Sequence, residues 1–151
     1  MTTDISDQIE TDIQAAYGSM SAPNWSFAET RYANHQYVGL IHLLANFGDI
    51  KETTDLNEDV SVVIFAALNG SDGITLRLSL VGKYACVSDS AGRFLTQLEL
   101  MEDAHARRIF ELLKEEHMVL IEPSGLTKTL DFGDEDVTIY EVLFSGDEAI
   151  G

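Results

Sequence analysis

The chain has very few of the residues that reinforce small extracellular folds. It contains one cysteine, Cys86, and two prolines among 151 residues. A single cysteine cannot form a disulfide within the chain, and a free thiol suits a reducing compartment. Because Cys86 lies in an apolar run with no histidine beside it, we interpret it as a small buried residue rather than a nucleophile.

Long apolar runs are also missing. No run reaches the ~18 consecutive apolar residues that a membrane-spanning helix requires. The first residues, MTTDISDQIETDIQ, are acidic and alternate polar with apolar positions, whereas a secretory signal begins with basic residues and continues into an apolar run. We therefore expect no secretory signal and a cytoplasmic location.

Basic residues are scarce. Nine lysines and arginines stand against 26 aspartates and glutamates, which gives a formal net charge of −17. Such a charge repels phosphate backbones and anionic lipid surfaces. We therefore expect neither direct nucleic-acid binding nor membrane binding.

The common catalytic motifs do not occur. The chain has no G-x-S-x-G, P-loop, dinucleotide fingerprint or paired-cysteine motif. The triplet Asp131-Phe132-Gly133 matches a protein-kinase motif only by coincidence, since the chain is too short for a kinase and has no glycine-rich loop. We expect no enzymatic activity, cofactor or metal, although an enzyme with an unrecognised pocket remains an alternative.

What the chain does have is the composition of a folded protein, with 45% hydrophobic and 23% charged residues. Its length predicts one domain, covering residues 1–151, and folding at this size buries roughly 68 to 70% of the unfolded surface. Residues 1–24 are interpreted as an N-terminal helix with its link. Residues 145–151 are interpreted as a flexible acidic tail.

Three segments have helical periodicity. Residues 4–17 place isoleucines at steps of four, which predicts a short amphipathic helix. Residues 25–49 predict the longest helix, with Ser26 and Glu29 as a capping box and Gly48 as its C-terminal stop. Residues 101–117 predict a third helix.

Strand patterns fill most of the remainder. Residues 60–68 and 74–81 flank the turn sequence NGSDG and predict a hairpin. Residues 83–88 and 93–100 suggest a second one, with the start of a helix as the alternative for its last few residues. Between the long helix and the first strand we expect a polar link, residues 49–59. Later strands are predicted at 118–122, 125–132 and 137–144.

This order of elements predicts an α+β fold. Strands joined by short turns are antiparallel neighbours, so we expect one domain with a mainly antiparallel sheet of about five strands. Two N-terminal helices and one later helix would pack on this sheet.

The acidic residues are clustered along the chain. Residues 1–60 carry ten acids and two bases and residues 118–151 carry eight acids and one base, whereas residues 61–100 carry three of each. Adaptation to high salt would spread the acids more evenly. The clustering instead favours a directed negative field, which speeds encounter with basic partners. The candidate partner-binding residues are Asp131, Asp134, Glu135 and Asp136, followed by Asp55, Glu58 and Asp59.

These features favour a non-enzymatic acidic protein that neutralises a basic partner, of the bacterial immunity or antitoxin type, with a nuclease-like toxin as target. One alternative is an acidic homodimer of the secretion-chaperone type. Another is a phage-type inhibitor that mimics nucleic acid. The sequence leaves open whether the protein is a monomer or a homodimer.

Overall fold

A five-stranded sheet organises the computed structural model, which describes residues 5–68, 73–133 and 135–145, with the backbone alone for residues 5, 6 and 68. The strands follow chain order, β1-β2-β3-β4-β5, and all neighbours are antiparallel except β4 and β5. The predicted α+β fold with a mainly antiparallel sheet is confirmed. The strands are β1 Gly48–Glu52, β2 Ser61–Leu68, β3 Ile74–Ser79, β4 Tyr84–Asp89 and β5 Val119–Leu120.

Seven helices and a separate hairpin cover the sheet in the described part of the chain. None of these helices is long and apolar enough to cross a membrane. Of the predicted acidic tail, residues 146–151 lie outside the described residues. The helices are α1 Ile5–Tyr17, α2 Phe27–Ala33, α3 Val38–Leu44, α4 Gln97–Glu102, α5 Ala104–Glu115, α6 Pro123–Leu126 and α7 Ile139–Leu143, and the hairpin pairs β6 Thr129–Phe132 with β7 Glu135–Thr138.

The sheet has a separate apolar core on each face. Helices α2 to α5 pack on one face, against alternate residues of β2, β3 and β4 such as Leu76 and Val87, and we call these four helices layer 1. Helices α1, α6 and α7 and the β6–β7 hairpin pack on the other face, against Tyr84 and Cys86, and we call them layer 2. The prediction that Cys86 is buried is confirmed. Burial raises the pKa of its thiol, which therefore stays protonated.

The predicted long helix is wrong. Residues 34–37 divide it into α2 and α3, and the Ser26 side chain makes no capping bond. The break has a local cause: His35 Nδ1 accepts a hydrogen bond from the amide of Tyr37 (3.2 Å), and this bond competes with a helical one. The break also has a tertiary cause: the buried Tyr37 hydroxyl donates to the Ser79 carbonyl of β3 (2.5 Å).

The predicted polar link contains β1, and Gly48 begins this strand instead of ending a helix. The strand pairs with β2 from Gly48 opposite Leu68 to Glu52 opposite Ile64. Ile50 is the one large apolar side chain of β1; it is partly buried and packs against the layer 1 core. Because β1 is an edge strand, it buries little apolar surface, and its sequence is therefore mostly polar.

Helices replace part of three predicted strands: residues 125 and 126 of the predicted strand 125–132 belong to α6, and the other two lose more. Residues 97–102 form α4 instead of completing a second hairpin, in which only the bridge between Ser88 and Phe94 remains. Residues 137–144 contain the end of β7 and then α7. Helices α4 and α7 each begin with a Thr-x-x-Glu capping box, at Thr96 and at Thr138, and the two reciprocal hydrogen bonds of each box are present.

Side-chain hydroxyls hold the C-terminal end of α7. The hydroxyls of Tyr17, Ser79 and Ser61 donate to the carbonyls of residues 142, 143 and 144, at 2.7, 2.7 and 2.8 Å. Helix ends leave such carbonyls without helical partners. Because all three donors are buried, α7 is fixed to α1, β3 and β2 at once.

Candidate acidic interface

The β6–β7 hairpin places two candidate residues directly opposite each other. Asp131 pairs with Asp136 across the strands, and both side chains are exposed. Glu135, also exposed, lies opposite Phe132 near the turn, and Asp134 lies outside the described residues. Like charges directly opposite in a hairpin are destabilising, so the pair must be held by other contacts.

Those contacts come from the turn and from the other hairpin face. Phe132 is buried, and its ring lies edge-on to that of Tyr17 with centroids 4.8 Å apart. The amide of Gly133 donates to the Met20 carbonyl (2.7 Å). Gly133 has φ +65°, a conformation that costs a glycine little. The acidic hairpin is therefore anchored on α1 and on the segment that follows it.

The second candidate cluster lies in the loop before β2, and its charges are partly used within the loop. An Asp59 carboxylate oxygen accepts from the amide of Asp55 (2.9 Å), and an Asp55 oxygen accepts from the amide of Asn57 (3.0 Å). Asp55 and Glu58 are exposed, whereas Asp59 is half-buried and forms a β-bridge with Ser145. Asp59 thus has a structural role in addition to any role in binding.

The two clusters are at opposite ends of α7 along the chain. Asp136 belongs to the strand that leads into α7, and Asp59 contacts Ser145, which follows it. The sequence offered no reason to place these clusters in one region, because about 70 residues separate them. The fold links the second cluster to the end of α7 through the Asp59–Ser145 bridge, while Leu56 of the same loop packs on the layer 1 core.

The two layers differ in how acids and bases are distributed. The segments of layer 2, residues 5–17 and 121–145, carry eight acids and one base without Asp134, which is a net charge of −7. Those of layer 1, residues 27–47 and 96–117, carry seven acids and four bases, and β1 with the loop after it, residues 48–59, packs on the same core through Ile50 and Leu56 and adds five acids and one base, which brings layer 1 to −7 as well. The layers therefore differ in their ratio of acids to bases: layer 2 has Lys128 alone against eight acids, whereas layer 1 has five bases against twelve acids.

Several basic side chains interact with carbonyls or aromatic rings. Arg31 donates to the carbonyls of Leu80 (2.8 Å) and Val81 (3.1 Å). The guanidinium of Arg77 lies 5.7 Å from the centroid of the Tyr140 ring, beneath α7, and the Arg108 guanidinium lies over a ring of layer 1. Arg93, in contrast, pairs with the carboxylates of Asp89 and Glu99.

Burial raises the pKa of the Asp59 carboxyl above its ordinary value, and its bonds from Asp55 and Ser145 and the charge of Arg77 oppose this shift. The folded protein therefore binds this proton more tightly than the unfolded chain does. The resulting stabilisation is fully present below about pH 4 and is lost as the pH rises through the folded pKa.

We expect Asp59→Asn to remove this pH dependence, because an uncharged side chain has no ionised form to desolvate. The difference in free energy of unfolding, variant minus wild type, should rise between pH 4 and 7 in urea titrations. Asp49→Asn, an exposed position on β1, controls for the loss of one charge. A difference that does not change with pH would contradict the assignment.

A cavity of about 270 Å³ lies in layer 2 beside the hairpin, and sequence reasoning missed it. Its walls come from α1, from the segment that runs from β5 into β6, and from the start of α7. No sequence signal joins these parts, since they are distant along the chain. The lining residues are Ile9, Glu10, Leu120, Ile121, Glu122, Ser124, Gly125, Lys128, Thr129, Leu130 and Ile139.

A second, more polar cavity of about 290 Å³ lies where the long helix is broken, and Arg31, His35 and Tyr37 line it. Within the described residues, no three histidine, cysteine, aspartate or glutamate side chains are grouped as a metal site would require. Comparison with protein-family models, with curated proteins and with solved structures finds no match for this chain.

Proposed function

We propose that this chain is an acidic binding protein without enzymatic activity, which neutralises a basic partner protein in the cytoplasm. The partner is a nuclease-like toxin, and the chain acts as bacterial immunity proteins and antitoxins do, by covering the positive cleft of the toxin. The observation that carries this proposal is the ratio of acids to bases in layer 2, eight acids against the single base Lys128.

The Asp131–Asp136 pair supports the same proposal. Two exposed carboxylates opposite each other cost stability in the free protein. A cation that approaches the hairpin removes this repulsion and interacts with both groups at once. A basic partner therefore binds where the free protein has unfavourable electrostatic energy.

The proposal is tested by salt-dependent capture. The tagged chain, expressed in its own host, should retain a basic protein at about 0.1 M salt and release it near 1 M, where the screening length falls from about 10 Å to about 3 Å. The released protein should regain nuclease activity, and adding the chain back should inhibit it. If nothing basic is retained, or if high salt leaves the complex intact, the proposal is wrong.

The secretion-chaperone alternative has one observation in its favour. On α4, the side chains of Leu98 and Met101 are 67% and 45% exposed, which is the kind of apolar surface that a dimer or an unfolded client covers. Light scattering separates the two functions, because a stable homodimer favours the chaperone and a monomer favours the inhibitor. The nucleic-acid mimic uses the same acidic surface and differs in its target.

A further inference from the structure

We propose that the layer 2 cavity receives an arginine side chain of the basic partner. This inference rests on the proposed function, because it names the anchor by which the partner would be held. The cavity combines an apolar floor, carboxylates on its rim and a position next to the exposed acidic pair.

The floor of the cavity is apolar. Ile9 and Ile121 are buried, and Leu130 and Ile139 are half-buried. The volume of about 270 Å³ is below the roughly 300 to 1,000 Å³ of sites for small molecules. A single long side chain suits this space, and the methylene groups of arginine can lie on such a floor while its charged end stays at the rim.

The rim selects a cation. Glu10, Glu122 and Lys128 are its charged lining residues, and the remainder of layer 2 adds a net charge of −6. One Glu122 oxygen already accepts from the amide of Gln97 (2.9 Å), which fixes that carboxylate. Glu10 is exposed on α1, so it is the main partner available to an incoming guanidinium.

Arginine fits this rim better than lysine does. Its planar guanidinium can donate two parallel hydrogen bonds to one carboxylate, whereas an ammonium group acts as a point charge. Arginine is also enriched among the residues that dominate binding energy at protein interfaces. An arginine paired with Glu10 would keep its stem out of water.

The cavity reaches the exposed face of the hairpin at Thr129, whereas its Leu130 wall lies on the opposite face, which packs on the layer 2 core. Thr129 lines the cavity, and Asp131 is two residues further along β6, about 6 to 7 Å away on the same side of the strand. Asp136 lies opposite Asp131 on that face. An arginine that enters the cavity past Thr129 would therefore bring neighbouring bases of the partner near both aspartates.

The probe for this site is N-acetyl-arginine amide, added to the isotope-labelled full chain at up to tens of millimolar. We expect amide chemical-shift changes centred on Ile9, Ile121 and Leu130. The uncharged isostere N-acetyl-citrulline amide should bind about tenfold more weakly, because it loses the charge-assisted pair with Glu10. Equal affinity for the two compounds, shifts centred elsewhere, or no shifts would overturn the inference.

A matched pair of variants tests the rim. Glu10→Gln should weaken binding of the arginine compound about tenfold, whereas Asp7→Asn, an equal charge change one turn earlier on α1, should have little effect. Equal losses in both variants would indicate the general field and would contradict the site. Far-ultraviolet circular dichroism checks that both variants fold.

The same two variants separate this inference from the proposed function. If a basic partner is captured but Glu10→Gln and Asp7→Asn bind it equally well, the arginine site is wrong and the proposed function stands. If the arginine compound binds in the cavity but no basic protein is captured, the proposed function is wrong, and the cavity is a cation site with another use.

Discussion

Replacing Tyr17 with alanine should lower the free energy of unfolding by about 3 to 5 kcal/mol, the usual cost of removing a buried aromatic side chain. Its ring is in edge-on contact with three others, with centroids 4.5 to 4.9 Å apart, and its hydroxyl donates to the Val142 carbonyl. Since domains of this kind are stabilised by about 5 to 15 kcal/mol in total, the loss is a large fraction. The ring partners are Trp25, Phe27 and Phe132.

The hydroxyl and the ring of Tyr17 can be separated. Tyr17→Phe keeps the ring contacts and leaves the Val142 carbonyl buried without its donor, so we expect a loss of about 1 to 3 kcal/mol. Tyr32→Phe is the control, because its hydroxyl bonds to Glu52 at the surface and should contribute much less.

Urea unfolding followed by the fluorescence of Trp25, the one tryptophan of the chain, measures both Tyr17 variants. If Tyr17→Phe is as stable as wild type, the hydrogen bond to α7 contributes nothing. The attachment of α1 to α7 would then depend on ring packing alone.

The double substitution Glu135→Lys and Asp136→Lys should slow association with the captured partner by about 10-fold to 1,000-fold, the range over which directed charge changes encounter rates. The same change should stabilise the free protein by about 0.2 to 1 kcal/mol, because Asp136→Lys places opposite charges across the strands at Asp131. Weaker binding together with higher stability is the result expected only if the partner binds the Asp131–Asp136 pair and relieves the repulsion between its two carboxylates.

The matched control reverses two acids in layer 1. Glu115 and Glu116 are exposed at the end of α5, and changing both to lysine alters the net charge by the same amount. Stopped-flow association at several salt concentrations compares the two double variants. If both slow association equally, the total charge alone acts, and the hairpin is not the interface.

The fold class followed from the sequence because periodicity reports burial. The stripe of Ile9, Ile13 and Tyr17 predicted α1 with its C-terminal boundary, and alternation in β3 predicted a strand with one apolar face. These patterns arise because side chains that face the core must be apolar, and the structure buries those side chains.

The errors concern signals of a few residues. Ser26 and Glu29 have the capping-box spacing but form no such cap, whereas Thr96 and Thr138 form caps within runs that also suit a strand. Windows of eight residues do not distinguish a strand from a short helix unless the cap is weighed first. The cavity was beyond prediction, because its walls meet only after α1, β6 and α7 pack.

The fixing of α7 has a consequence for synthesis in the cell. Its three hydroxyl donors lie 125, 83 and 64 residues earlier in the chain than the carbonyls they contact. Such distant pairings form slowly, and here they cannot form until residues 139–145 have left the ribosome. Until then α7 leaves part of one face of the central sheet uncovered, and this part is where the nascent chain is most open to aggregation.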